Sequence, residues 1–109
     1  MFLERNGFDA LLITTTERSF SDANKLAKMI LKNNLAACVS LKNITSTFWW
    51  KEQLEESSEV EITIKTIPKL KEKVFKFIRV NHTYQVPELI SFQVSSTKEY
   101  AKWLGDSIN

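Results

Sequence analysis

With one cysteine among 109 residues, the chain cannot close an internal disulfide. Its stability must come from packing, and a reducing compartment is the natural setting for the lone thiol. Histidine is equally scarce, with His82 the single example. One thiol and one imidazole fall short of the four protein ligands that a closed tetrahedral soft-metal site takes from a single chain. Two glycines cannot build a Gly-rich phosphate loop, and the sequence contains no nucleophile elbow and no His–Cys cluster. Covalent catalysis is not expected. No run approaches the roughly 18 apolar residues of a membrane-spanning helix. The first nine residues carry acids where a secretory signal would be basic and then apolar. The expectation is a cytoplasmic protein with a loose leader over residues 1–9 and no membrane partner.

What is present is the composition of one folded domain spanning 1–109, with 43% hydrophobic and 26% charged residues. The net charge of +2 is too small for general affinity toward nucleic acid. The charges are nevertheless segregated. Glu52, Glu55, Glu56, Glu59 and Glu61 crowd one segment, while Lys65, Lys69, Lys71, Lys73, Lys76 and Arg79 crowd the next. They read either as a solvated hairpin tip followed by a solvated helix face, or as opposite patches that meet between subunits.

Periodicity orders the elements. Residues 10–15 read as a buried first strand. Ser19 and Asp22 have capping-box spacing, and Ala23, Leu26, Ala27, Ile30 and Leu31 recur at helical spacing, so a helix is predicted over residues 20–33. Residues 36–50, rich in β-branched and aromatic side chains, predict a long strand with Cys38 and Ser40 on one face and Ala37, Val39 and Leu41 on the other. The charged residues 51–59 are expected to connect it to a third strand, where Val60, Ile62 and Ile64 alternate with Glu61, Thr63 and Lys65. Thr66 as cap and Pro68 in the first turn open a second helix ending near Arg79. A fourth strand carries Ile90, Phe92 and Val94 against Ser91, Gln93 and Ser95, and Ser96 or Thr97 caps a last helix.

This βαββαβ order with a terminal helix is that of an α+β, ferredoxin-like domain: a four-stranded antiparallel sheet with helices on one face. The other face is left open. It is expected to present Cys38, Ser40, Thr63, Lys65, Ser91 and Gln93, with Phe48, Trp49 and Trp50 at one end. A mixed polar and aromatic surface of that kind calls for a partner, and a second copy of the chain is the economical one.

Two segments could carry chemistry. Cys38 reads either as a small packed residue or as a thiol ligand. His82 lies in the polar turn from Asn81 to Glu88, where Pro87 holds Val86 extended and sets Glu88 at the entrance to the fourth strand. Glu88 and Lys65 read either as a structural ion pair or, with Trp50, as parts of a small-molecule cleft. Symmetry can assemble a metal site from several copies even where one chain lacks the ligands.

The pieces in sequence resemble the CutA divalent-cation tolerance family from about Leu11 to Leu104. The resemblance rests on Thr14-Thr15, Leu35-Ala36-Ala37-Cys38-Val39, Trp50, Ile64-Lys65-Thr66, the segment His82, Tyr84, Pro87, Glu88, and Tyr100, Trp103 and Leu104 near the end. It implies a homotrimer related in architecture to the PII signalling proteins, which binds a divalent metal, copper first, in response to metal ions, with no obligatory cofactor. By resemblance Cys38 and His82 are the metal candidates, and Trp50, Lys65, Tyr84 and Glu88 line an intersubunit cleft. Two departures stand out: Thr83 where proline is usual, which is expected to loosen the His82 loop, and Glu52 where glycine is usual, which puts a tight turn in question. A second reading is a PII-like sensor that holds a small anionic metabolite through Lys65. RNA binding finds no support, because the third strand offers two carboxylates and no stacking ring.

Overall fold

The computed structural model describes residues 8–108. The expected leader therefore falls outside the described residues, except that Phe8 and Asp9 already belong to the first strand. In chain order the elements are β1 (Phe8–Glu17), α1 (Phe20–Lys32), β2 (Cys38–Trp50), β3 (Gln53–Thr66), a 3-10 turn (Pro68–Leu70), α2 (Lys71–Asn81), β4 (Ile90–Ser96) and α3 (Lys98–Ser107). The strands form one antiparallel sheet in the order β2-β3-β1-β4. That is the ferredoxin-like arrangement predicted from the order of periodicities.

The capping and spacing of α1 work as the sequence suggests. Ser19 is extended, its Oγ accepts from the Asp22 amide at 3.1 Å, and its hydroxyl donates to the Asp22 carboxylate at 3.0 Å. Arg18 adds a 2.8 Å pair to the same carboxylate, and this pair with the serine bond holds the Asp22 carboxyl below its ordinary range. Ala23, Leu26, Ala27 and Ile30 turn inward. The chain leaves α1 through Asn34, which takes φ = 57°, a left-handed conformation that asparagine tolerates better than most residues.

The core lies between α1, α2 and one face of the sheet. Ile13 pairs with Ile64 across β1 and β3, Leu41 with Ile62 across β2 and β3, and Val74 and Ile78 of α2 complete the layer. Ile13, Ile62, Ile64, Val74 and Ile78 are fully buried, and each such side chain contributes about 1.5–3 kcal/mol relative to exposure.

Four expectations are corrected. The charged stretch after Trp50 is strand rather than connection: β3 begins at Gln53, and the register Trp49↔Leu54, Phe48↔Glu55, Thr47↔Glu56 runs unbroken down to Cys38↔Lys65. The ladder to β1 covers only Val60 to Thr66, so the distal β2–β3 hairpin is a two-stranded arm that gives the molecule a long axis of 52 Å. Its tip is a two-residue turn, with Lys51 at φ = 50° and Glu52 at φ = 65°. The tight turn forms despite Glu52, with two L-residues held in the left-handed region that such hairpins reserve for Asn and Gly. Substitution Glu52→Gly is expected to raise the unfolding free energy by about 1 kcal/mol, measured as a higher urea midpoint; an unchanged or lower midpoint would contradict it.

The second correction concerns β4. Its register sets Ser91 opposite Ile13 and Gln93 opposite Leu11 on the helix-covered face, and Ile90, Phe92 and Val94 opposite Thr14, Leu12 and Ala10 on the other. Ile90 and Phe92 are about half exposed there. Third, Thr66 caps no helix. It is fully buried and its hydroxyl donates to the Leu35 carbonyl at 2.7 Å, while the 3-10 turn starts at Pro68 with Ile67 as its N-cap and has no side-chain cap. Fourth, α2 runs on past Arg79 to Asn81. Thr97, one of the two residues expected to cap α3, does so by accepting from the Tyr100 amide. This helix packs on β1 and β3 outside the main core and buries Leu104.

Candidate functional site

Strand alternation puts Cys38, Ser40, Lys42, Ser46, Phe48 and Trp50 of β2 on the open side of the sheet, with Glu59, Glu61, Thr63 and Lys65 of β3 beside them. The segment between α2 and β4 folds back over the end of β1. Asn81 closes α2 by donating its side-chain Nδ2–H to the Phe77 carbonyl at 2.9 Å, and His82 turns extended.

The His82 ring is completely enclosed and both of its nitrogens are engaged. Nε2 lies 2.5 Å from the Thr16 carbonyl and Nδ1 accepts the Tyr84 amide at 2.9 Å. These bonds specify the tautomer with the proton on Nε2. Beside it lies Glu17, a carboxylate with a side chain 1% exposed and one oxygen 3.4 Å from Nδ1. Glu17 accepts from the Thr83 amide at 3.1 Å, from the Thr83 hydroxyl, and from the Arg18 amide at 3.2 Å. Thr83 therefore does not loosen the loop as its departure from proline suggests. It ties the loop to a buried acid through an N–H that proline lacks.

Tyr84 points the other way, and its hydroxyl donates to Glu59 at 2.9 Å. Burial, followed by this hydrogen bond and the Glu59 charge, pushes the phenol up to about 12, with Arg18 acting weakly against them. A folded-state value above the unfolded 10 means that the folded protein holds the proton more tightly. The stability from this bond is complete below pH 10 and falls as pH rises toward 12. The difference in 295 nm absorbance between wild type and Tyr84→Phe is expected to titrate near pH 12; a midpoint at 10 would refute the bond.

Between the arm and this loop lies a cleft of about 610 Å³, lined among others by Phe48, Trp50, Glu59, Tyr84, Val86 and Glu88. Three of the four cleft residues expected from sequence, Trp50, Tyr84 and Glu88, meet here. Lys65 does not. It lines a separate depression with Ser40, Lys42, Glu61 and Thr63, and Glu88 instead accepts from the Thr14 hydroxyl at 3.4 Å.

Cys38 and His82 are not brought together within the subunit. Cys38 is half-buried, opposite Lys65, in the row of Leu12, whereas His82 bonds to Thr16, four residues or roughly 13 Å farther along β1. Among the described residues no three His, Cys, Asp or Glu side chains gather into a metal-holding group. Nor, among them, is any helix long and apolar enough to cross a membrane.

Residues 11–107 match the profile of the CutA1 divalent ion tolerance protein family. The chain belongs to that family. The CutA protein of Pyrococcus horikoshii is 35% identical over 95 residues, covering 86% of this chain and 93% of its own length. The CutA of Yersinia pestis is 32% identical over 102 residues, covering 92% and 86%. Crystal-structure relatives agree: CutA1 of P. horikoshii superposes with a TM-score of 0.88 at 31% identity over 91% of this chain and 98% of its own. A CutA structure from Archaeoglobus fulgidus, described as periplasmic, gives 0.88 at 28% identity over 92% and 99%. The CutA1 family is defined by tolerance to divalent ions and not by a reaction.

Sequence reasoning passed over Glu17. The signal was available, because Leu11, Ile13, Thr15 and Glu17 share one strand parity, which puts a carboxylate in line with the core.

Proposed function

We propose that the protein is a cytoplasmic homotrimer that binds a divalent cation, copper first, where subunits meet, and thereby takes part in the response to metal ions. The observation that carries this reading is the open sheet face. It combines two half-exposed apolar residues, Ile90 and Phe92, with the one thiol of the chain. Isolated, that face would leave contiguous apolar surface in water; sister copies would cover it. A reducing compartment keeps the unpaired Cys38 available.

The donors of one subunit do not fit a resident metal, since the described residues hold no three-ligand group. Donors must therefore converge from several copies. Cys38 is the soft donor in this reading. His82 has no free nitrogen and serves by ordering the loop that carries Tyr84 and Glu88. A metabolite sensor for anions has less support, because Lys65 stands outside the cleft while two carboxylates line it.

Calorimetric titration with copper(II), and with zinc(II) as a redox-silent control, tests the assignment. Cys38→Ser is expected to weaken binding at least about tenfold, the scale of losing one ligand or its support. His82→Ala should reduce stability more than intrinsic affinity. Wild-type isotherms from Cys38→Ser would remove the thiol from the site.

A further inference from the structure

The charges that the sequence segregates end on different layers of the fold. Residues 20–32 and 68–81, which form α1, the 3-10 turn and α2, carry eight lysines and arginines against two acids, Asp22 and Glu72, a net of +6. The whole chain is +2, so everything outside these helices is −4. Helices α1 and α2 cover the side of the sheet that faces away from Ile90 and Phe92. Their outer surface therefore stays in water when sister copies cover the open face.

That basic surface contains an apolar groove of about 440 Å³ between the end of α1 and the length of α2. Leu35, buried, and Phe77, half-buried against the core, are its deepest residues, and Val80 beside them is 74% exposed. Lys73 and Lys76 stand exposed along it. Lys73, Lys76, Phe77 and Val80 are spaced three and four apart, so α2 presents them as one face. This face is separate from the core stripe of Val74 and Ile78. Asn33 and Asn81 complete the lining, and each donates its side-chain amide to a carbonyl of its own helix. Among the described residues no carboxylate pairs with Lys73 or Lys76, whereas Arg18, Lys42 and Lys102 each have one.

The shape of the groove selects among anionic partners. A lipid surface takes up apolar side chains that protrude from a helix, but Leu35 and Phe77 are sunk between lysines. A duplex offers phosphates and no apolar group to fill a groove. A small molecule is usually enclosed over most of its surface, and this groove is open along α2. An amphipathic helix meets each demand, with apolar side chains for the floor and carboxylates for the lysines. From Lys73 to Asn81 the groove follows α2 for about 12 Å, or two turns of such a helix.

We propose that the α1–α2 groove docks an acidic amphipathic helix of another protein, its apolar side chains on Leu35, Phe77 and Val80 and its carboxylates paired with Lys73 and Lys76.

The probe is a fluorescein-labelled peptide of about 16 residues with leucines at i, i+4 and i+7 on one face and glutamates beside them. Fluorescence anisotropy with the whole protein is expected to show saturable binding below about 0.5 mM. A scrambled peptide of the same composition should bind at least about tenfold more weakly, since it keeps the charge and loses the apolar face. Lys73→Gln/Lys76→Gln should weaken the designed peptide about tenfold, and Val80→Asn about fivefold. All three side chains are exposed, so subunit mass and melting midpoint should not change. Equal affinity for the scrambled peptide, or wild-type affinity in both variants, would overturn the proposal. So would absence of peptide binding, and binding then seen only to phosphatidylcholine–phosphatidylglycerol vesicles or to duplex DNA would assign the basic layer to a membrane or to nucleic acid instead.

Discussion

Replacing Glu17 with alanine is expected to lower the unfolding free energy by about 3 kcal/mol, the scale of removing one partner from a buried charged network. Three donors lose their acceptor at once: the Thr83 amide, the Thr83 hydroxyl and the Arg18 amide. Water cannot replace the carboxylate without entering a site where the Glu17 and His82 side chains are 1% and 0% exposed. The damage should concentrate in the loop. Exchange of the Thr83 and Tyr84 amides, held by Glu17 and by His82 Nδ1, should accelerate well beyond that of core amides such as Ile64. Glu17→Gln keeps the shape and one acceptor oxygen, so it should cost about half as much. Urea denaturation at one fixed protein concentration measures both, because any oligomer makes the midpoint concentration-dependent. A midpoint for Glu17→Ala equal to that of wild type would show that the loop is held by something other than this acid.

The burial of Glu17 marks the limit of what local sequence patterns encode. Alternation identifies residues that share a face, and Val60, Ile62 and Ile64 with their polar neighbours announced both strand and core side. Helical spacing did the same for α1, down to the Ser19 cap. Alternation does not say which of two faces is covered. In β4 the alternation leads one to expect the apolar set Ile90, Phe92 and Val94 on the helix side, because apolar residues usually belong there. The register with β1 sends it to the open side. The arm was hidden for a different reason. Glutamate and lysine are poor strand formers, so residues 51–59 read as a loop. Their extended state is imposed by pairing with the aromatic end of β2 and by the turn at Lys51 and Glu52. Likewise the loop from Asn81 to Glu88 was conspicuous for its polar residues, and Trp50, Tyr84 and Glu88 do meet. The burial of His82 depends on contacts with Thr16 and Glu17 some 66 residues earlier, and no local pattern encodes them.

The apolar side chains that β4 turns to the open face bear directly on assembly. In the double variant Ile90→Lys/Phe92→Lys, the proposed trimer is expected to fall apart to a folded species of 12.6 kDa. Both side chains are on the face opposite the main core, 45% and 49% exposed in the single subunit. If sister copies cover them, each half-exposed side chain gains on the order of 1 kcal/mol on assembly. Threefold symmetry repeats every loss, so two substitutions remove about 6 kcal/mol per trimer, roughly four orders of magnitude in the association constant. Six introduced ammonium groups then face desolvation or mutual repulsion, which adds to the loss. Folding of the subunit should survive, because neither residue belongs to the core of Ile13, Ile62, Ile64 and Ile78. Light scattering at micromolar concentration distinguishes the outcomes: wild type at three times the subunit mass and the variant at one. A variant that kept the wild-type mass would place the contact between copies elsewhere, and Cys38 on the same face would lose its claim to a shared metal site.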